Sequence, residues 1–166
     1  MLDVFRVLRF IRYVVVCWFM AVVGVDFSGK FPDAPPCYCV AVRDGRVRCV
    51  LMSRKAKRFV RTHRIPKALA TAAHVYYTVL PLMRRDDVVL IDAEYDVEYL
   101  KKVRRYLEQA LSVSSIAVGH ISDKAIEKAD RLSKLFRKRK YCDEKDPDIL
   151  RFVRLIHPAC EARFTP

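Results

Sequence analysis

Apolar positions recur along this chain in two periods, and the switches between them predict its elements. Val22 to Phe27, the stretch 37–43 (CYCVAVR), the stretch 46–52 (RVRCVLM), VVLID ending at Asp92, and SSIAVGH ending at His120 are short runs rich in valine and isoleucine. Such runs, bounded by Gly, Pro, Asp or Ser, read as strands. Asp44-Gly45 between the second and third is a favoured two-residue hairpin turn. Helical spacing appears elsewhere. IPKALATAAHVYYTVLPLM, with Pro66 near its start, reads as one amphipathic helix approached by the basic stretch 53–64 (SRKAKRFVRTHR). Val97, Leu100, Val103, Leu107 and Leu111 mark a second helix over 95–111, and Ile126, Ala129, Leu132 and Leu135 a third over 122–140. A short helix ended by His157-Pro158 and a loose tail follow. The order β-β-β-α-β-α-β-α predicts an α/β fold with a mixed five-stranded sheet: an antiparallel meander of three strands, then parallel β-α-β additions, with helices on the faces.

At 166 residues, half of them apolar, the chain can bury one core without disulfide or metal staples. Thirty-two Lys and Arg stand against 19 acidic residues, a formal charge of +13, which makes polyanions the expected partners. The six cysteines, at 17, 37, 39, 49, 142 and 160, form no CxxC pair and no Cys/His spacing that would hold zinc. They fit a reducing, cytoplasmic setting. Cys37 and Cys39 alternate in a strand and so share one face.

Residues 13–25 form an uncharged run preceded by Arg6, Arg9 and Arg12. The run is too short to span a bilayer as a helix and carries no cleavage site, so no membrane span is expected. The expected division is an N-terminal extension over 1–19, with Met20 as an alternative start, a main domain over 20–141, and a C-terminal helix and tail over 142–166.

Three carboxylates lie in apolar surroundings at places that chemistry uses. Asp26 ends the first strand, Asp92 ends the fourth, and Asp130 sits inside the last long helix. Crossover connections bring such strand ends to one edge of a sheet. Converging carboxylates repel one another and need a cation, and oxygen ligands of this kind favour magnesium or manganese. Two such ions about 4 Å apart can activate water and stabilise the leaving oxygen of a phosphodiester.

GVDFSGKFPDAPPCYCVAV, LIDAEYDVEYLKKV and VGHISDKAIEKADRLSKL resemble, over most of 21–140, the opening strand, the Asp-bearing strand and the Gly-His loop with its last helix in type 1 ribonuclease H. The resemblance implies a ribonuclease-H-like fold in which Asp26, Asp92 and Asp130 hold two magnesium or manganese ions and His120, ten residues before Asp130, assists proton transfer or product release. It also implies cleavage of the RNA strand of RNA/DNA hybrids. The family's metal-bridging Glu at the start of its first long helix has no counterpart in THRIPKALATAAHV, and Glu94 and Glu127 are the substitutes within reach. Arg54, Lys55, Lys57, Arg58, Arg61 and Arg64, or Lys101, Lys102, Arg104 and Arg105, would follow a phosphate backbone. A protein that keeps the fold and binds nucleic acid without cleaving it is the alternative reading. A basic membrane-surface protein anchored by residues 1–19 is a third.

Overall fold

The computed structural model describes residues 21–92, 96–111, 115–119 and 122–157. Three strands open them: β1 (Val22–Ser28), β2 (Cys37–Arg43) and β3 (Arg46–Met52). Helices α1 (Arg54–Thr62) and α2 (Lys67–Val79) follow, then β4 (Val88–Asp92), α3 (Val97–Ala110), β5 (Ser115–Gly119) and α4 (Lys124–Arg139). A two-residue strand β6 (Glu144–Lys145) and α5 (Ile149–Ile156) complete them. The sheet order is β5-β4-β1-β2-β3-β6. β1, β2 and β3 pair antiparallel, whereas β4 joins β1, β5 joins β4 and β6 joins β3 in parallel.

The α/β class, the antiparallel trio and the parallel additions match the sequence pattern. Two features do not. The sheet has six strands, because Glu144 and Lys145 pair with Val50 and Leu51 at the outer edge. Two residues are too few for a period-2 signal, and polar side chains at an exposed edge carry no hydrophobic mark. The basic stretch 53–64 is likewise a helix in its own right and not an approach to α2. Ser53 caps α1 by accepting from Lys55 N–H at 3.1 Å, and Ala56 and Val60, one turn apart, bury its inner face.

Side-chain alternation in β1 divides the core. Val23, Val25 and Phe27 point to one face with Cys37, Cys39 and Ala41 of β2, and α1, α2, α3 and α5 cover them. Ile149, Phe152, Val153 and Ile156 of α5 belong to that same core, so the C-terminal helix packs with the rest. Tyr38, Val40, Val42, Cys49 and Leu51 point to the other face, under α4 and its Ala129. Gly24 also points to the α4 side. A Cβ there would lie 2.5 Å from the backbone carbon of Ala125 and 2.6 Å from the nitrogen of Ile126, so only glycine lets α4 sit this close to β1.

His74 of α2 is fully buried and donates Nε2–H to Val50 O at 2.8 Å, between the rings of Phe27 and Phe31. Burial drives its pKa down to about 4 from 6.5. The fold therefore holds the neutral ring and resists its protonation, whereas the unfolded chain binds that proton near pH 6.5. The stabilisation is complete above about pH 6.5 and falls away as pH drops toward 4, by at most about 1.4 kcal/mol per pH unit for one proton. Urea unfolding at pH 7 and pH 5.5 should show this loss in the parent chain. In His74→Gln the difference between the two pH values should shrink; an unchanged difference would assign the acid sensitivity elsewhere.

Candidate nucleic-acid interface and carboxylate edge

The C-terminal ends of β1, β4 and β5 lie at one edge of the sheet. The β1–β4 register runs through Val25↔Ile91, so Asp26 and Asp92 are the next residues along two neighbouring strands. By strand alternation both point to the α4 side, as Gly24 and Leu90 do. Asp92 in turn pairs with Gly119 of β5. Asp92 ends β4 as expected, but Asp26 does not end β1, which runs two residues further to Ser28 in pairing with β2; the two carboxylates are neighbours across β1 and β4.

Asp130 lies in the turn of α4 above them. Ser133, one turn later and fully buried, donates its hydroxyl to Asp26 Oδ2 at 3.1 Å and lies 2.9 Å from Asp130 O. Asp26 itself has no exposed surface. The Asp130 carboxylate holds Lys134 Nζ at 2.6 and 2.8 Å through its two oxygens, one helical turn away. Glu127 is exposed on α4's first turn. Glu94 and His120 lie outside the described residues.

Magnesium or manganese would need three or more of these oxygens open to a shared point. Among the described residues no group of three or more His, Cys, Asp and Glu side chains could hold a metal ion. Asp26 is enclosed beneath α4 and Asp130 is neutralised by Lys134. The described residues therefore do not fit a bound divalent ion in this arrangement, although adjacent carboxylates on β1 and β4 are the donor type such an ion takes.

The cationic surface is better defined. On α1, Arg54, Lys55, Lys57, Arg58 and Arg61 are all exposed, with Arg64 just beyond. The helix has no acidic residue in its first turn. Arg54 and Lys55, in the first turn, oppose the local preference of the helix dipole and do not serve the helix's own stability, whereas Arg61 in the last turn agrees with it. The loop joining β1 to β2 lies against it: Lys57 Nζ donates to Asp33 O at 2.6 Å and Lys67 Nζ to Asp33 Oδ1 at 2.6 Å. One cleft opens between Asp33, Pro35 and Arg54, Lys57, Arg58. A second opens between Pro32 and Arg61, Arg64, Lys67.

Arg137 extends this surface from the far side of the sheet. Its guanidinium reaches Ser28 Oγ at 3.5 Å, and both Arg137 and Lys57 act electrostatically on the buried thiol of Cys37, at the start of β2. Burial nevertheless pushes that thiol up to about 12. Arg137, Lys138, Arg139 and Lys140 are exposed at the end of α4. The run is visible in the sequence, but cations in a last helical turn already have a local reason to be there, which hides a second role.

The basic residues of α3 are less available. Lys101 is paired with Glu98 and Arg104 with Glu108, leaving Lys102 and Arg105 exposed on that helix. Tyr76 and Tyr77 pack against the core, Tyr76 on Phe152 and Tyr77 with its hydroxyl on Asp148 O, and offer no stacking platform. Among the described residues no helix is long and apolar enough to cross a membrane. No family model matches the chain, and no curated protein matches it.

Proposed function

We propose that this chain is a nucleic-acid-binding domain on a ribonuclease-H-like scaffold, and that α1 with the β1–β2 loop holds the phosphate backbone of an RNA/DNA hybrid or a structured RNA. The observation that carries this reading is the exposed face of α1, where five cations stand together with none of their side chains paired to a carboxylate among the described residues and Lys57 donates to the Asp33 carbonyl of the β1–β2 loop. β1 lies between an antiparallel hairpin and two parallel crossover strands, with Asp26 beside Asp92 near the C-terminal ends of β1 and β4, and this arrangement supports the scaffold. Contacts of this kind position a backbone without reading bases, so affinity should be broad in sequence and steep in salt.

A second reading, metal-dependent cleavage of the hybrid's RNA strand, is favoured by the placing of Asp26 and Asp92 on adjacent strands with Asp130 overhead. It requires Lys134 to give way and Asp26 to open. Labelled RNA/DNA hybrid, RNA duplex and DNA duplex, each incubated with the protein in magnesium or manganese beside Asp92→Asn, separate the two. Retention of a substrate without cleavage is the expected outcome. Metal-dependent cleavage that Asp92→Asn abolishes would establish the nuclease, and failure to retain any of the three would remove both readings.

A further inference from the structure

A different part of the molecule, at the outer edge of the sheet, brings two cysteines together. Cys49 of β3 donates its backbone N–H to Asp143 Oδ2 at 2.7 Å, and Asp143 N–H donates to Cys49 O at 2.9 Å. The thiol of Cys49 also reaches Tyr141 O at 3.7 Å, the carbonyl bonded to the nitrogen of Cys142. Asp143 therefore stands opposite Cys49 just before the β3–β6 register begins at Val50↔Glu144, and Cys142 is its diagonal neighbour. Cys142 precedes β6, outside the strand, so strand alternation does not turn its side chain away from Cys49. Both side chains pack in the same apolar cluster under α4, with Tyr38, Leu132 and Phe136. Cys49 is buried and Cys142 only partly buried.

We propose that Cys49 and Cys142 are a redox pair that closes into a disulfide in the presence of a small-molecule disulfide such as oxidised glutathione. The Cys142 thiolate, the accessible one, attacks the reagent's sulfur and releases one glutathione thiolate. The Cys49 thiolate then attacks the sulfur of Cys142 and expels the second. The two protein thiols give up two protons and two electrons, and the reagent's S–S bond is reduced to two thiols. Burial holds the Cys49 thiol up to about 12 and raises Cys142 too, so closure is slow at neutral pH and quickens as the solution becomes alkaline.

The bond would fasten residues 142–146 to β3. Asp146, in that segment, accepts from both the backbone N–H and the hydroxyl of Ser53, the residue that caps α1. Oxidation at the sheet edge thereby fixes where the cationic helix begins.

The full chain should be incubated with oxidised glutathione from pH 7 to pH 9, digested without reduction and analysed by mass. The expected product is a peptide joining Cys49 to Cys142, formed faster at higher pH, accompanied by a higher Tm and reversed by dithiothreitol. Cys142→Ser should lose both the linked peptide and the Tm rise. A Cys142 that carries glutathione without closing, a bond from Cys142 to any other cysteine, or no reaction at pH 9 would each overturn the proposal. The linked peptide decides even if the serine variant folds poorly.

Discussion

Replacing Gly24 with alanine is expected to destabilise the protein by about 3 kcal/mol or more, the upper end for an overpacked core. The added carbon would meet Ala125 C and Ile126 N at 2.5 and 2.6 Å, and both are backbone atoms that no rotamer change can move aside. Either α4 lifts from β1 or β1 bends away from its neighbours. Lifting α4 would also separate Ser133 from Asp26 and open the apolar cluster around Ala129. At about 2–4 °C per kcal/mol for a chain of this size, Tm should fall by roughly 10 °C. A shift of only a degree or two would mean that α4 does not rest on Gly24, and the placing of Asp130 above Asp26 would lose its basis.

The triple variant Lys57→Ala, Arg58→Ala, Arg61→Ala is expected to weaken binding to an RNA/DNA hybrid by at least about tenfold at moderate salt. The three side chains are exposed, and the one hydrogen bond they lose, Lys57 Nζ to Asp33 O, lies at the surface, so the fold should be preserved. Each lost phosphate contact removes about 0.7–0.9 from the slope of log affinity against log salt, so the slope should flatten by about 2–3. The matching variant Lys101→Ala, Lys102→Ala, Arg105→Ala on α3 should change both quantities much less, because Lys101 is already engaged by Glu98. Equal losses from the two helices would show that net charge, and not the α1 surface, draws the ligand.

Much of this fold was legible from residue patterns, and the exceptions have physical causes. β1, β2 and β3 were clear because their valines sit between Gly, Pro and the Asp44-Gly45 turn, and α3 and α4 because their apolar positions keep a helical period. Helix α1 was hidden by its charge: only Ala56 and Val60 are buried on it, too few to display a period. β6 escaped because two polar residues at an edge display none.

The candidate site was legible in position but not in state. The strand pattern placed Asp92 at the end of β4 and Asp26 on the neighbouring β1, two residues before that strand's end, and helical spacing placed Asp130 on α4. That Lys134 would take the Asp130 carboxylate, and that Ser133 would sit on Asp26, depends on how α4 is rotated on β1. The close approach at Gly24 sets that rotation, and one glycine in a strand-like run does not announce such a contact. The loop's part in the cationic surface, through Asp33, is equally a product of tertiary packing.

The most direct test is to add a short RNA/DNA hybrid to isotope-labelled protein and follow the backbone amide resonances. The changes are expected to concentrate in residues 28–36 and 53–67, with a smaller group near Arg137, and to diminish with added salt. Changes centred on α3, or no changes at any salt concentration, would contradict the assignment of α1 and the β1–β2 loop as the phosphate-binding surface.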